Sequence, residues 1–306
     1  MARRKCIVYA LPGLTNYETA WRYQRVLAEH INHQKKACVA GKASWPADHL
    51  LLLQHPRIFT LGRGSTPKNI KFSLNERNES PLGTPEVVRV ERGGEVTWHG
   101  PGQLVAYPIL DLNNDRPGGD SLNAHNVHKK DLHWYTRQLE QTVIDLLQGE
   151  PYKISGVGRH KVNTGVWVSR ADTSQGLAET HCKISAIGVT ASRWTTMHGL
   201  SLNVCPDMSD YSLIVPCGIE PEQLKLIDSS NSVSLRFGVC SMQQLEPLQK
   251  IDVDTVRKQY EKVFGEVFGL DLERPPDALE TLKGLLEAYP TVTTMQLARG
   301  TQGLSH

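Results

Sequence analysis

The sequence predicts a single domain of the α/β or α+β class, in which helices flank a central mixed β-sheet. Short apolar segments typical of strands alternate along the chain with longer segments whose apolar residues recur at helical spacing. No internal repeat interrupts this alternation, and 39% of the 306 residues are apolar, enough for a sizeable core. We expect the main domain to span residues 1–270 and a C-terminal helical extension with a tail to span 271–306.

The first third of the chain is predicted to contain a strand, a helix and three more strands. Residues 6–10 form the first strand. Thr15 stands three residues before Glu18, which is the spacing of a capping box, and the following apolar residues predict an amphipathic helix to about His33. After a polar loop at 34–47, strands are expected at 50–54, 58–61 and 87–90.

The rest of the chain continues the alternation. Pro108 lies within the apolar run 104–112 and predicts a strand at a sheet edge or with a bulge, because proline cannot donate to a ladder. A hydrophilic loop is expected at 169–182. The other predicted elements are strands at 162–168 and 183–189, helices at 132–147, 253–267 and 279–289, and a loosely held tail from 291.

Composition excludes several classes of protein. The net charge of +2 argues against a general nucleic-acid binder. No run of roughly 18 apolar residues occurs, so no membrane span is expected. Six cysteines without a CxxC pair predict free thiols in a reducing compartment. The basic residues 1–5 lead directly into a strand and are too short for a full targeting segment.

Residues 92–107, with the sequence RGGEVTWHGPGQLVAY, form the most informative segment. Four glycines and one proline fall within its first eleven residues, beside Arg92, Thr97 and His99. Glycine allows main chain to approach a ligand closely, at an entropic cost that ordinary packing does not require. Loops carried on rigid strands often hold sites. We therefore expect this segment to line a ligand rather than to form an incidental turn.

Cys217 and Lys183 are the candidates for chemistry. An apolar run delivers Cys217 to a Pro-Cys-Gly turn, although most cysteines are structural and the position alone leaves that alternative open. A cysteine attacks as its thiolate and needs a nearby cation. Lys183 opens an otherwise apolar strand, where it is either a solvated strand end or a buried amine able to exchange protons near neutrality.

These segments together resemble the lipoyl (octanoyl) transferase family, whose members move octanoate from acyl carrier protein onto lipoyl domains. Residues 92–107 are similar to the family signature throughout. The segments around His55, Lys183, His198 and Cys217 occur in the family's order. The resemblance covers about residues 6–270, and the departures lie in loops at 34–47, 169–182 and 227–250 and in the tail.

The resemblance implies a fold similar to the catalytic domain of biotin and lipoate protein ligases. It also implies that Cys217 accepts the acyl group, with Lys183 as its partner and with His55 and His198 in supporting roles. No metal or cofactor is implied, since the substrate arrives on the phosphopantetheine of acyl carrier protein. The implied substrate-binding residues are Arg92, Gly93, Gly94, Glu95, Val96, Thr97, Trp98, His99, Ala186, Ile187, Gly188, Gly199, Leu200 and Ser201.

The implied partners are octanoyl-acyl carrier protein, the lipoyl domains of 2-oxoacid dehydrogenase complexes and the glycine cleavage H protein. Arg63 and Lys68 are expected to help dock the acidic carrier, and the protein is expected to be a monomer. The long loops favour a eukaryotic, mitochondrial-type member such as a fungal one, with the cytoplasm as the alternative location for a bacterial member. Two other functions stay open: an ATP-dependent lipoate or biotin protein ligase, and a non-catalytic chain that only docks lipoyl domains.

Overall fold

The computed structural model describes residues 3–40, 45–74, 83–113, 128–172, 178–218, 225–228, 231–293 and 298–299. The strands in these ranges are β1 Arg4–Leu14, β2 Asp48–Gln54, β3 Ile58–Leu61, β4 Glu86–Arg89, β5 Val96–His99, β6 Gln103–Ile109, β7 Val157–Arg159, β8 Val166–Asp172, β9 Ala178–Ser192, β10 Thr195–Asn203, β11 Lys225–Asp228, β12 Asn231–Val239, β13 Leu270–Glu273 and β14 Ala298–Arg299. The helices are α1 Tyr17–Val39, α2 Leu132–Gln148, α3 Met242–Leu245, α4 Val253–Phe268, α5 Ala278–Ala288 and α6 Pro290–Thr293.

The strands form two sheets. The large sheet has the order β11-β12-β9-β10-β6-β2-β1-β13, and β8 joins it beside β9 with β7 on its outer side. The pairs β1/β2, β1/β13 and β12/β9 are parallel, whereas β2/β6, β6/β10 and β10/β9 are antiparallel. The small sheet has the order β14-β4-β3-β5. The predicted mixed sheet with flanking helices is therefore confirmed. The predicted boundary at residue 270 falls at the first residue of β13.

Both faces of the large sheet are buried, because helices cover each of them. Leu50 and Leu52 of β2 pack into the cluster that includes residues of α2 and α4. Leu51 and Leu53, which point to the opposite face, pack with residues of α1 and α5. Since successive side chains of a strand alternate between faces, a strand covered on both sides is apolar throughout, as the sequence of β2 is.

The helix α1 starts and ends later than predicted. Asn16, not Thr15, is its N-cap, and the Asn16 side chain accepts a hydrogen bond from the backbone N–H of Glu18. The backbone N–H of Thr15 instead donates to the carbonyl of Gln54, which ties this position to the sheet. The helix continues through residues 34–39, which were predicted as loop, and residues 41–44 of that loop lie outside the described residues.

The prediction that Pro108 marks an edge strand or a bulge is wrong, since β6 is central and its ladders with β2 and β10 show no register shift. The strand β6 lies between β2 and β10, and Pro108 is paired with Leu50 of β2. The β10 ladder on the other side of β6 ends at Ala106, so no backbone donor is required at position 108 on that side. The carbonyl of Pro108 accepts a hydrogen bond from the hydroxyl of Thr196 there.

The segment 162–182 also differs from its prediction. The strand β8 begins at Val166, and Val162 lies in a turn with 84% of its surface exposed. The hydrophilic segment 169–182 is not all loop, because β8 continues to Asp172 and β9 starts at Ala178, with 173–177 outside the described residues. Ladder bonds join backbone groups, so a polar sequence can extend a hairpin beyond the core.

Candidate active site

A cavity of about 210 Å³ opens where the loop 92–95 and strand β5 meet strands β9 and β10. The turn 162–164 and the 3-10 turn Pro216–Gly218 complete its wall. The cavity therefore collects segments from distant parts of the sequence. Its lining residues are Tyr17, Arg92, Gly94, Glu95, Val96, Thr97, His99, Tyr107, Val162, Asn163, Thr164, Lys183, Ala186, Ile187, Gly188, His198, Gly199, Leu200, Ser201 and Cys217.

Most of the predicted site residues share this cavity, and three do not line it. Both predicted catalytic residues, Cys217 and Lys183, contribute to its wall. Gly93 lies behind the wall, where its N–H donates to the carbonyl of Val189 at 3.0 Å. Trp98 points into a separate apolar cluster, and His55 lies beneath the wall. The roles of the residues that line the cavity stay predictions.

Cys217 stands on a short turn with a left-handed backbone, at φ 56° and ψ 23°. Few non-glycine residues adopt this conformation, so the surrounding structure must hold it. The preceding residues supply that support, since Val215 N–H donates to the carbonyl of Asn69 at 2.8 Å and Ile214 forms an antiparallel bridge with Ile70. The thiol is therefore presented by a fixed turn with intermediate exposure.

Asp210 anchors the segment that leads to Cys217. Its Oδ2 accepts hydrogen bonds from Trp98 Nε1 at 2.9 Å and from Arg57 Nε at 2.7 Å, while Arg57 also donates to Oδ1 at 2.5 Å. Asp210 is 5% exposed, and the neighbouring Tyr211 ring lies 5.4 Å from the Trp98 ring. Trp98 thus contributes to the site through Asp210 and not by lining the pocket.

Arg92 builds the loop in front of the cavity. One terminal nitrogen donates to the carbonyls of Gly93 at 3.0 Å and Glu95 at 2.9 Å, and the other donates to the carbonyl and hydroxyl oxygens of Thr60. Burial lowers the pKa of Arg92 from its ordinary value. Because both terminal nitrogens are bonded to the protein, this side chain shapes the wall and contributes positive charge to it.

Glu95 lies next to the Cys217 turn. Asn69 Nδ2 donates to its carboxylate at 2.7 Å, and a Cβ atom at Gly218 would approach Glu95 Cγ to 3.1 Å. Partial burial raises the pKa of Glu95, and the bond from Asn69 and the charge of Arg92 oppose this effect. The same Asn69 therefore supports the turn through its carbonyl and the loop through its amide.

The strand β10 approaches β6 closely at a glycine in the cavity wall. Gly199 of β10 is paired with Gly188 of β9. A Cβ atom at Gly199 would lie 2.2 Å from the carbonyl oxygen of Ala106 and 2.7 Å from Cδ of Pro108. No side chain fits at position 199 unless β6 moves, so the glycine predicted to line the pocket is required by packing behind it.

Three histidines and two tyrosines form a buried polar cluster at the cavity. His55 Nδ1 donates to the carbonyl of Thr15, because a carbonyl only accepts, and this leaves Nε2 to accept from the hydroxyl of Tyr107 at 2.9 Å. The Tyr17 ring lies 4.9 Å from that of His55 and 6.0 Å from that of His99. Burial lowers the pKa of His55 to about 4, so the ring is neutral at pH 7.

His99 is held in one tautomer by Gln103. The Gln103 amide nitrogen donates to the carbonyl of Trp98 and to Asn203, so its oxygen must accept from His99 Nδ1, at 2.7 Å. Burial, together with the neighbouring His55, lowers the pKa of His99 well below its ordinary value. His99 is therefore a neutral ring with its Nδ1 proton committed to the protein.

His198 has an unusual setting in the same wall. Its backbone is left-handed, at φ 59°, and its N–H donates to Gln24 Oε1 at 2.6 Å. The ring is 1% exposed, and within the described part of the chain neither ring nitrogen has a hydrogen-bond partner. Glu91 lies 3.7 Å from Nε2, beyond hydrogen-bond distance. Burial lowers the pKa of His198, which disfavours a charged ring.

Known proteins resemble this chain over most of its length. Residues 16–265 match the family model described as the lipoyl protein ligase A/B catalytic domain. The chain belongs to this family. An octanoyltransferase of Nostoc punctiforme is 38% identical over 267 residues, which are 87% of this chain and 90% of that protein. An octanoyltransferase of Arabidopsis thaliana, named as chloroplastic, is 36% identical and covers 89% and 81%. These relatives confirm the prediction of an octanoyltransferase.

Solved structures support the fold. The bipartite lipoate protein ligase of Thermoplasma acidophilum superposes with a TM-score of 0.55 at 15% identity, over 94% of this chain and 92% of that one. A lipoate-protein ligase A bound with ATP gives the same TM-score and identity over 96% and 97%. At these identities the likeness concerns the fold alone. It agrees with the predicted similarity to ligase catalytic domains.

Sequence reasoning missed four residues of the wall. Tyr17 occupies a helical position that is indistinguishable in sequence from a core position. The polar run Asn163-Thr164-Gly165 before the apolar residues of β8 was the signal of a turn there. The missed residues are Tyr17, Val162, Asn163 and Thr164. Tyr107, the last residue of the segment 92–107 expected to line a ligand, does line the cavity.

Proposed function

We propose that this octanoyltransferase carries the acyl group on Cys217 and passes it to the ε-amino group of a lysine on lipoyl domains. The observation that carries the proposal is the shared cavity of Cys217 and Lys183, which come from separate segments of the chain. A thioester donor already holds the acyl group in activated form. The reaction we propose therefore needs no nucleotide, metal or other cofactor.

In the first step, the Cys217 thiolate attacks the carbonyl carbon of an octanoyl thioester on acyl carrier protein. A new carbon–sulfur bond forms, the bond to the phosphopantetheine sulfur breaks, and that sulfur leaves as a thiolate and takes up a proton. Lys183 in its charged form stabilises the attacking thiolate and can supply the proton. The apolar wall from Ala186, Ile187 and Leu200 accommodates the acyl chain.

In the second step, the lysine amine of the lipoyl domain attacks the acyl-enzyme. Its ordinary pKa is about 10.4, so at neutral pH the ammonium first loses one proton to solvent, and the neutral amine loses a second as the amide forms. The amide bond forms as the carbon–sulfur bond to Cys217 breaks. Lys183, now neutral, accepts the proton from the amine, and Cys217 is regenerated as a thiolate. Cys217 and Lys183 thus return to their starting states.

Intact-mass spectrometry tests the acyl-enzyme. The full chain is incubated with octanoyl-acyl carrier protein without ATP, and we expect one added octanoyl group. The addition should be lost in Cys217→Ala and kept in Cys38→Ala, which removes a partly exposed thiol on α1, away from the cavity. Chase with a lipoyl domain should move the octanoyl group to that domain.

Two other results would identify the alternative functions. Transfer that requires ATP and free octanoate would indicate a ligase. A wild-type chain that binds lipoyl domains and is never acylated would indicate a docking protein. Either result would refute the acyl-enzyme proposal.

We propose that the acidic carrier docks beside Arg63 and Lys68. Both residues are exposed, and they flank the segment 64–67. In this segment the backbone N–H of Gly64 donates to the carbonyl of Gly94, and the carbonyl of Thr66 accepts from the backbone N–H of Asn69. Surface charges act mainly on encounter and are screened by salt. Arg63→Glu should raise KM for octanoyl-acyl carrier protein at low salt and less at high salt. An unchanged KM at low salt would exclude this docking surface.

The remaining proposals concern partners and location. We propose lipoyl domains of 2-oxoacid dehydrogenase complexes and the glycine cleavage H protein as acceptors, a monomeric enzyme, and a mitochondrial location. Relatives include a chloroplastic plant protein and cyanobacterial proteins. The competing locations are therefore the cytoplasm and another organelle, the chloroplast. In the described residues no helix is long and apolar enough to cross a membrane. A reporter fused to residues 1–30 tests the location.

A further inference from the structure

The Lys183 side chain is buried, and its amino group faces an aromatic ring. Lys183 is 6% exposed, and its Nζ lies 4.8 Å from the centre of the Trp167 ring. Among the residues that the structure describes, no carboxylate lies within 4.0 Å of this Nζ, and no hydrogen-bond acceptor is paired with it. A charged group withdrawn from water requires compensation. The face of an aromatic ring provides it, most strongly when the ring belongs to tryptophan.

Backbone pairing sets this contact. Trp167 of β8 lies directly opposite Lys183 of β9, and the register shifts between Val166 and Trp167. Such an irregularity in a ladder re-aims the side chains beside it. Residues directly opposite each other on antiparallel strands are within contact distance. The ring and the lysine are therefore brought together by the sheet itself.

The other sides of the Trp167 ring are held in place. Trp167 is 2% exposed, and its Nε1 donates to the carbonyl of Asn163 at 3.2 Å. The His160 ring lies 5.2 Å from the Trp167 ring, and the backbone N–H groups of Val162 and Asn163 donate to His160 Nδ1. Val162 and Asn163 line the cavity, so the Trp167 ring lies between this part of the cavity wall and Lys183.

Gly165 leaves space for the aliphatic part of the lysine on another side. Its φ is +120°, and a Cβ atom there would lie 2.6 Å from the carbonyl oxygen of Ser185 and 3.3 Å from Lys183 Cε. A side chain at position 165 would therefore press against the lysine stem.

The geometry points to Trp167 as a positioning residue that keeps the Lys183 side chain directed into the cavity that it shares with Cys217. This inference rests on the proposed roles of Lys183 and Cys217. The ring favours the ammonium over the neutral amine because only the ammonium is attracted to its face.

Other titratable groups surround this pair and must be separated from it experimentally. Arg92, Glu95, His99 and His198 line the cavity with Lys183 and Cys217. On the far side of Trp167, burial and the charges of His181 and Lys183 lower the pKa of His160. A double-mutant cycle cancels these shared contributions, because all four proteins of the cycle retain them.

The test measures the rate of Cys217 alkylation by iodoacetamide as a function of pH. The peptide that carries Cys217 is quantified by mass spectrometry, so the other five thiols do not interfere. We expect Trp167→Leu to move the alkylation midpoint up by about one pH unit and Trp167→Phe to move it less. Trp134→Leu removes a partly buried ring that packs against Phe268 and should leave the midpoint unchanged.

The cycle is completed with Lys183→Met. We expect Trp167→Leu to have no further effect on the midpoint in the Lys183→Met background. Equal shifts in both backgrounds, or no shift with Lys183 present, would overturn the inference and leave Trp167 with a structural role. Acylation of the wild-type chain is measured separately. Normal acylation with additive shifts refutes only the role of Trp167, whereas coupled shifts without acylation refute only the proposed transfer.

Discussion

Asp210→Ala tests whether the Cys217 turn depends on a buried carboxylate outside the cavity. The substitution removes the acceptor of Trp98 Nε1, which then lies buried without a partner. An orphaned buried donor costs about 1–3 kcal/mol. The lost pair with Arg57, whose side chain is 50% exposed, adds about 0–1 kcal/mol. We expect a total loss of about 1–4 kcal/mol, which lowers Tm by about 2–6 °C, because the unfolding entropy of 306 residues is about 0.6 kcal/mol/K.

The same substitution should slow the acylation of Cys217. Asp210 lies in the 3-10 turn Ser209–Leu213, which connects to the Cys217 turn through Ile214 and Val215. Displacement of a reacting group by about 1 Å costs up to about 100-fold in rate. We expect the single-turnover rate with octanoyl-acyl carrier protein to fall by about 10- to 100-fold at saturating donor. The measurement is made well below the Tm of the variant, so unfolding does not contribute.

Trp98→Phe completes a double-mutant cycle. Phenylalanine keeps most of the ring and removes the donor, so the double variant with Asp210→Ala contains no orphaned N–H. We therefore expect the double variant to lose less stability than the sum of the two single losses. Additive losses within about 0.5 kcal/mol would show that the bond to Trp98 does not stabilise the segment. An unchanged Tm and rate in Asp210→Ala would refute the reasoning altogether.

Three further predictions concern the cavity wall. Gly199→Ala should lower stability by about 1–3 kcal/mol, since its methyl group would meet β6. As a control, Gly284→Ala on the exposed side of α5 should raise stability by about 0.5–1 kcal/mol. Thermal unfolding compares the two variants, and an unchanged stability of Gly199→Ala would contradict the close approach of β10 to β6. Burial lowers the pKa of His55 from 6.5 to about 4, so the unfolded chain binds this proton more tightly. Stability should therefore fall by about 3 kcal/mol as pH drops from 6.5 to 4, and urea unfolding of His55→Gln should show a flatter profile. Lys183→Arg keeps a cation and loses the proton acceptor, so turnover should fall strongly; near-normal turnover would make Lys183 structural.

Local signals predicted most of the elements that carry the site. The strand Ile58–Leu61 has the predicted bounds, since Pro56 precedes it and Gly62 follows it. The helix α4 ends where Gly269 adopts a left-handed backbone, as its glycine indicated. In both cases the residues that end the element lie within two positions of it in the sequence.

Tertiary context decides the position of Pro108, whereas alternation along a strand decides that of Trp98. Pro108 is central because the β10 ladder stops beside it, which no local pattern contains. Trp98 belongs to the predicted substrate-binding residues, and its side chain lies in an apolar cluster outside the cavity. Thr97 and His99 share one face of β5 and line the cavity, whereas Trp98 points to the other face. Alternation along the strand contained that information.

The contact between Trp167 and Lys183 was not accessible from sequence. It depends on the register of β8 against β9 and on a shift in that register next to Trp167. The sequence left Lys183 as either a solvated strand end or a buried amine, and it predicted two apolar strands. It contained no signal that would align one particular tryptophan with one particular lysine.

The left-handed backbone at Cys217 has a consequence for how the activity is lost in evolution. A Cys codon becomes a Gly codon by a single base change, and glycine adopts φ 56° without the steric penalty that cysteine carries. Cys217→Gly would therefore remove the nucleophile while leaving the fold intact or slightly more stable. Selection against misfolding would not remove such an allele. Inactive paralogues that retain the pocket and carry glycine at this position are the expected mutational neighbours of this enzyme.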